Sequence, residues 1–484
     1  MSLPSPEGIP REMETGALPY SMPPETKSTQ IRVQPSNISS IVSNTVTLTA
    51  SSNIAMDFPI QNLIFDLPIP SPSTFLDSRQ TTLNFRATYE IISGGTAAVV
   101  GATAGYLRSH AGSFFDRMYV VSQNGQIIED VNEFGVVQDT LVNLQMSNSV
   151  RDGIGAAYGF SSASAIGSQG HALGIFAAAR TLATGNTESH SYSIPLVSGS
   201  IGVCADSFLN IGRTSKLQCV LQTTGVAPIS VTTGTATAAA TFRITLSDFT
   251  LQLEYVDIGS RALAMLDNSL IDGKSYIHGL TYRTSTNTLP STSGAVSLLA
   301  GLRGSSVKSL FARFQDSPLT AAGSINGKYD SKLPMASQIG FNIGGQRYPP
   351  IPINALLQPS LAFRELQSAV GSFNSNEYVY AANTDAYCKL SAGGTAQGLA
   401  STTQDYSYNT GTAPDAQALF IFGTNTESCA KRGCLSGLNC NASPIFLEMT
   451  IATAPTNTHN VFVIGQLDQI LVHDVRTGDI QVRV

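Results

Sequence analysis

At 484 residues the chain is too long for one ordinary hydrophobic core, and its 42% apolar residues are enough to fill two or three. Charged residues are only 12%, about half the usual share, so Ser, Thr, Asn, Gln and Gly must build much of the surface, which suits burial against neighbouring molecules. A net charge of −6, a pI near 5.5 and the lack of any long Lys/Arg run argue against direct binding of nucleic acid.

The opening thirty residues, rich in Pro, Glu and Ser, contain no apolar core of the kind a signal peptide needs. No run of about 18 apolar residues occurs that could span a membrane. Residues 1–35 read as an extended arm that is ordered only when a neighbour holds it. Period two then begins. In "TTLNFRATYEII", Leu83, Phe85, Ala87, Tyr89 and Ile91 alternate with polar residues, the pattern of a half-buried strand. "FDRMYVVSQNGQIIED" holds two strands joined at Asn124-Gly125, a strong hairpin signal. Phe134, Val137, Leu141 and Leu144 follow at helical spacing, with Asp130 and Glu133 placed like a capping box.

Residues 148–188 are rich in Gly, Ala and Ser and read as a long loop. Strands are expected in "HSYSIPLVSGSIGV", "KLQCVLQT" and "TFRITLSDFTLQLEYVDI". A short connecting helix is expected over Ser260–Asp272, then a strand in "KSYIHGLTYRT". Many short strands with long insertions and little helix indicate an all-β sandwich architecture.

The second half echoes the first. Ser113-Phe114-Phe115-Asp116-Arg117-Met118 is answered by Ser309-Leu310-Phe311-Ala312-Arg313-Phe314, which predicts matching interior positions for Phe115 and Phe311. Gly125-Gln126 meets Gly345-Gln346, and "LSDFTLQLE" meets "QLDQILVHD", both at an offset of 220 residues. Reconciling these offsets requires an insertion of roughly two dozen residues, "TAAGSINGKYDSKLPMASQI", with its own Asn326-Gly327 turn. Leu356, Leu357, Phe363, Leu366 and Val370 suggest a second helix that Pro359 starts late or interrupts. A period above 200 residues means a whole domain copied rather than a solenoid. A unit of this size with about eight strands suits a jelly roll with long loops.

The residues offer little chemistry. No Gly-x-Ser-x-Gly elbow occurs, and "DGKS" at 272–275 lacks the first glycine of a phosphate loop, having Asn268 there. The six histidines are scattered, and His459 and His473 read as structural residues near terminal strands. Cys204, Cys219 and Cys388 read as small buried apolar residues. Cys429, Cys434 and Cys440 lie close together but lack a fourth zinc ligand, leaving free loop thiols or a loop disulfide. Asn37 and Asn441 match the glycosylation pattern incidentally. No catalytic, cofactor-binding or metal-ligating residue is assigned, and no cofactor is expected.

"SFFDRMYVVSQNGQIIEDVNEF" and "YSIPLVSGSIGV…FLNIGRTSKLQCVLQT" resemble segments of the double jelly-roll major capsid proteins of double-stranded DNA viruses, of the polinton-like virus and virophage type. The resemblance covers 81–258 and extends through 276–484 by the duplication. It implies an all-β fold of two tandem eight-stranded jelly rolls: an arm over 1–35, a first roll over 36–258, a linker helix over 259–275 and a second roll over 276–484. It further implies a non-enzymatic subunit of the virion capsid, assembled inside the host cell. Homotrimers would form pseudo-hexagonal capsomers tiling an icosahedral shell. The implied partners are the chain itself, neighbouring capsomers, and penton and minor capsid proteins, with no direct contact to nucleic acid; contact with an inner membrane stays open. The rival readings are a spike, fibre or lectin-like binding protein, and a carbohydrate-active jelly-roll enzyme whose paired carboxylates only spatial separation could reveal.

Overall fold

The computed structural model describes residues 26–37, 60–94, 110–146, 148–159, 187–225, 240–270, 272–317, 334–370, 420–427, 435–455 and 458–484, with shorter pieces between them. Besides short strands such as Ser40–Val42 and Val46–Leu48, eight strands come first: β1 (Lys27–Val33), β2 (Asn62–Asp66), β3 (Thr74–Gly94), β4 (Phe115–Ser122), β5 (Ile127–Asn132), β6 (Thr187–Pro195), β7 (Leu217–Thr223) and β8 (Ala240–Asp257). They form two antiparallel sheets, ordered β1-β8-β3-β6 and β2-β7-β4-β5. The helices α1 (Phe134–Gln145) and α2 (Asn148–Tyr158) follow β5, and α3 (Gly259–Ser269) leads into the second half.

That half repeats the plan with β9 (Lys274–Leu289), β10 (Gly294–Ala300), β11 (Val307–Ser317), β12 (Ala336–Ile343), β13 (Gln346–Ile353), β14 (Ile421–Asn425), β15 (Ile445–Ile451) and β16 (Thr458–Asp474). Their sheets are ordered β9-β16-β11-β14 and β10-β15-β12-β13, so each strand has its counterpart eight places earlier. The helix α4 (Pro359–Val370) follows β13 as α1 and α2 follow β5, and β17 (Ile480–Arg483) pairs with the end of β16. Two eight-stranded jelly rolls stand in tandem.

Each core comes from period two. In β15, Ile445, Leu447, Met449 and Ile451 point inward while the residues between them are half-buried. In the first roll Leu83, Phe85, Ala87 and Tyr89 are buried, whereas the side chain of Ile91 lies outside the described residues. Phe85 meets Phe115 edge to face at 5.5 Å and stacks on Phe249 at 6.0 Å, joining the two sheets. The β4–β5 hairpin closes where Gly125 takes φ 77° and donates its N–H to Ser122 O at 2.9 Å.

The duplication is realised with one correction. Gly125 and Gly345 sit in equivalent hairpins, and the segments around Asp248 and Asp468 lie in the equivalent strands β8 and β16. Ser113–Met118 and Ser309–Phe314 are not equivalent. The counterpart of β4 is β12, and the counterpart of β11 is β3. An apolar alternation marks any strand with a buried face and does not say which sheet holds it. The segment read as an insertion contributes the start of β12, whose bounds match those of β4 at an offset of 221 residues, one more than the hairpin glycines; of its Asn326-Gly327 turn, Gly327 lies outside the described residues.

Phe311 also faces the other way. Phe341 of β12 stacks on Phe422 of β14 at 5.7 Å across the second sandwich, so Phe422 points inward. Phe311 pairs with the next residue, Gly423, and so lies on the outer face beneath Leu366 and Ala369 of α4. Phe115→Ala, which opens a cavity between two sheets, is expected to cost about 3–5 kcal/mol, and Phe311→Ala less because α4 can settle. Urea denaturation of the two variants checks this; equal losses would contradict the assignment of faces.

Other expectations shift locally. The arm ends sooner than residue 35, because Lys27–Val33 pairs in unbroken register with the end of β8, from Lys27 opposite Asp257 to Val33 opposite Leu251, as an edge strand that needs few apolar residues. Residues 1–25 lie outside the described residues. The expected loop over 148–188 begins with α2; of the remainder up to β6, only Gly159 and the Leu173–Gly174 pair are described. The strand expected over 190–203 stops at Pro195, and the chain turns through Leu196–Val203. No capping box forms. Glu133 is itself the N-cap in the left-handed region with no side-chain cap, and Asp130 accepts from Arg117 Nε and Nη2 at 2.8 and 2.6 Å. The connecting helix is α3, and α4 starts at Pro359, where a missing N–H costs nothing. Helix α1 is buried from Phe134 to Leu144 rather than on one stripe, since the second roll covers its far side.

Candidate assembly site: the seam between the two sandwiches

The residues that carry most polar chemistry lie between the rolls. Pro195 ends the β6 ladder, and the following "LVSGS" folds tightly: a Cβ on Gly202 would sit 2.0 Å from Leu196 O, and one on Gly199 would sit 2.5 Å from Leu280 O of β9. This turn presents its donors to Glu129 of β5. The Glu129 carboxylate accepts from Ser198 Oγ (2.5 Å), Gly199 N (2.8 Å), Ser200 N (3.1 Å) and Ser200 Oγ (2.6 Å). Thr281 Oγ1 of β9 adds a fifth donor at 3.1 Å, from the second roll. Glu129 is buried, so its charge is held by these donors instead of water.

Beside this clamp the backbones pair. Asp206 N donates to His278 O at 3.0 Å, and Leu280 N donates to Cys204 O at 2.9 Å. The contact needs Gly279, where a Cβ would lie 2.2 Å from Gly199 O. His278 then spans the seam, with Nδ1 2.5 Å from Asp206 of the first roll and Nε2 2.7 Å from Asp468 of β16. Asp468 also accepts from Ser306 Oγ at 2.5 Å and pairs with Lys308 Nζ at 3.0 Å. The bond to Asp206, then that to Asp468, pushes the His278 pKa up to about 9 against the effect of burial. His278 holds the Asp206 carboxyl below its ordinary value. For Asp468, burial pushes upward but is outweighed by His278, Ser306 and Lys308.

The pH dependence follows from these directions. His278 gains affinity for its proton on folding, so its contribution is complete below 6.5 and is lost as pH rises through about 9. The two carboxylates contribute above their ordinary value of 3.8 and lose that contribution as pH falls through their lowered pKa values. Melting temperature is therefore expected to fall on raising the pH from 7 to 10 more steeply in the native chain than in His278→Gln. Parallel profiles would contradict the bridge.

A third contact joins α1 to β11. Arg313 shares the outward face of Phe311 and reaches into the first roll. Its Nη1 donates to Asp139 Oδ2 (2.7 Å), Thr140 Oγ1 (2.9 Å) and Val136 O (3.2 Å), and its Nη2 to Tyr329 O (2.6 Å). Arg313 is 2% and Asp139 0% exposed, so the pair is wholly desolvated. Tyr329 Oη in turn donates to Ser113 O at 2.9 Å. Gln469 Nε2 donates to Ile128 O at 3.0 Å, and Ser215 N to Gly478 O at 2.8 Å, extending the seam along the rolls. Such an interface resists sliding, because any shift leaves several buried polar groups without partners.

The residues singled out from the sequence fall mostly elsewhere. Cys219 and Cys440 are buried and Cys204 is half-buried; all three are free thiols, and burial pushes Cys440 up to about 11. Cys388, Cys429 and Cys434 lie outside the described residues. His459 and His473 are buried in β16, and His473 Nε2 lies 3.3 Å from Arg213 O. Asp272 and Gly273 form the turn between α3 and β9 with φ 55° and 73°. Asn37 is structural: its Nδ2 donates to Asn62 O at 2.6 Å, and its Oδ1 accepts from Ile64 N at 3.0 Å. Asn441 is exposed in a turn before β15. Among the described residues, no group of three or more His, Cys, Asp or Glu side chains is placed to hold a metal, and no helix is long and apolar enough to cross a membrane. Sequence reading missed Glu129, Asp139, His278 and Arg313 as a set. The available signal was a lone charge inside an apolar run, as in "SLFARF".

No protein-family model and no curated protein matches the sequence. Solved structures do match in fold. The Sputnik virophage structure aligns at 11% identity over 100% of this chain and 93% of that one, with a TM-score of 0.53. The PBCV-1 protein VP54 fitted into a Sputnik reconstruction aligns at 9% identity over 96% and 99%, with a TM-score of 0.51. The Faustovirus major capsid protein aligns at 9% identity over 94% and 92%, with a TM-score of 0.50. Two rolls of one strand order, matched end to end by these structures, make this chain a double jelly-roll protein.

Proposed function

We propose that the chain is a major capsid protein, a structural subunit of a virion shell with no enzymatic role. The observation that supports this best is the seam: two sandwiches of the same topology are held side by side in one orientation by buried polar contacts. Nearly equivalent units fixed in this way let three copies around an axis present six similar faces. Trimers with such an outline tile a shell with nearly equivalent neighbours. The low-charge surface favours repeated burial against other copies, and penton and minor capsid proteins would occupy the vertices and inner surface. In this reading Lys27–Asp257 is the first roll, α3 the connector and Lys274–Val484 the second, with residues 1–25 as an arm to neighbours.

The test is light scattering on purified protein with negative-stain imaging. A trimer of three 51.0 kDa chains with a hexagonal outline is expected. A stable monomer at all accessible concentrations would overturn the reading. Deleting residues 1–25, which stops short of β1, is expected to leave the trimer intact and to impair shell assembly. Normal shells from that deletion would show that the arm has no such role.

A further inference from the structure

Inside the second roll one lysine is turned away from solvent. Along β11 and β16, Val307 lies opposite Leu467 and Ser309 opposite Gln466, so Lys308 is an extra residue in a bulge. A bulge re-aims a side chain, and this one sends Lys308 inward, where its side chain is 8% exposed. Lysine is almost never buried unless it is paired. Backbone bonds brace the bulge on both sides, from Thr426 N to Lys308 O at 3.0 Å and from Asp468 N to Ser306 O at 3.0 Å. Gly437 lets its segment close over the site, since a Cβ there would lie 2.5 Å from Val307 O.

The groups around this amine have complementary chemistry. Lys308 Nζ lies 3.0 Å from Asp468 Oδ1 and 3.7 Å from Glu427 Oε1, and the two acidic side chains are 0% and 3% exposed. His278 Nε2 is 2.7 Å from the same Oδ1, while Ser306 Oγ donates to Oδ2 at 2.5 Å. Ser436 Oγ holds Glu427 Oε1 at 2.5 Å. Adjacent strands β9, β16 and β11, with the residues just past β14, thus converge on one buried carboxylate. The first roll has no copy of this arrangement. Asp248, which matches Asp468, is exposed and accepts from its neighbour Ser247. The repeated strand pattern therefore does not by itself produce the cluster.

We propose that Lys308 and Asp468 condense to an isopeptide bond joining β11 to β16, with Glu427 as base, His278 as acid and Ser306 as oxyanion donor. Glu427 takes a proton from the Lys308 ammonium, and the free amine attacks Asp468 Cγ. Negative charge gathers on Oδ2, where Ser306 donates. The Nζ–Cγ bond forms and the Cγ–Oδ1 bond breaks. Oδ1 leaves as water with the two protons that Nζ gives up, relayed through Glu427 and His278, which end as they began. Nothing is oxidised or reduced: one ammonium and one carboxylate become a neutral amide and water. His278, pushed up to about 9, carries at neutral pH the proton this role needs. Burial supplies the drive, because two ions that are costly to hold away from water disappear.

The step occurs once, within the chain, and adds no enzymatic activity. It would tie the two central strands of the sheet and restrict the unfolded chain as a disulfide does. Unlike a disulfide it needs no oxidising surroundings, and Cys204, Cys219 and Cys440 are free thiols. His278 keeps its bond to Asp206, the larger cause of its raised pKa, so its contribution to stability is still lost at alkaline pH.

The test is the intact mass of the purified full chain in denaturant, followed until it no longer changes. The native chain is expected to be lighter than its sequence by one water. A lysine-specific protease should pass over Lys308 and release a branched peptide that carries Asp468. Lys308→Arg keeps a cation beside Asp468, but its guanidinium does not give up a proton to become a nucleophile, so this variant should keep the full mass. Glu427→Gln should slow the loss of water about 100-fold. A native chain that stays at full mass, or one whose lost water maps to another place, overturns the proposal, and neither result depends on a variant that folds. A Glu427→Gln chain that reacts as fast as the native one overturns the role of Glu427 as base. Monomer and trimer give the same reading, so the outcome is independent of the capsomer proposal.

Discussion

Replacing Glu129 by Ala is expected to destabilise the chain by about 3–5 kcal/mol, read as a shift in denaturant midpoint. The loss is not one of packing. Five donors converge on this carboxylate, from Ser198, Gly199, Ser200 and Thr281; without it only Ser200 N, 3.2 Å from Ser198 Oγ, and one of the two serine hydroxyls, 3.1 Å apart, would keep an acceptor, and the rest would stay buried with none. Water can enter only if the "LVSGS" turn opens, and Gly199 is wedged against Leu280 O. Glu129→Gln should recover part of the loss, since its amide oxygen still accepts while its NH2 meets donors. Because Thr281 belongs to the second roll, the native chain is expected to unfold in one cooperative transition and the Ala variant in two. A cost below about 1 kcal/mol would mean that the clamp does not hold the rolls together.

Arg313→Ala is expected to cost a similar amount, about 3–5 kcal/mol, because it leaves Asp139 buried and charged. Asp139→Leu alone should be comparably harmful, stranding the guanidinium. The informative variant is the double Arg313→Met, Asp139→Leu, which removes both charges at similar volume. Its stability should return to within about 1–2 kcal/mol of the native chain. If stability recovers while the hexagonal outline of the oligomer is lost, the pair sets the angle between the rolls rather than their adhesion. Additive losses in the double variant would show that the two side chains do not act on each other.

Much of the fold is readable in the sequence because it is local. Apolar alternation locates β3, β4, β7 and β8, and Asn124-Gly125 marks the hairpin that orders β4 before β5. Pro359 marks the start of α4. The edge strand β1 escapes such a reading because only Ile31 and Val33 at its end pack against the core, too few to show an apolar period. The 220-residue offset at Gly345 holds in the structure, but the match of Phe115 with Phe311 does not, since strands of the two sheets share one alphabet.

The seam is of another kind. Glu129 meets Ser198 across 69 residues and Thr281 across 152, and Arg313 meets Asp139 across 174. No spacing rule links such positions, because strand periodicity records which side chains face a core and not which distant polar groups meet across a turn or between rolls. From the amino-acid order alone one could derive two all-β halves built on one pattern, a surface poor in charge and no catalytic motif. Tertiary structure decided which strand belongs to which sheet, where the buried charges pair and which edges stay open, since these depend on contacts made only once distant segments have packed.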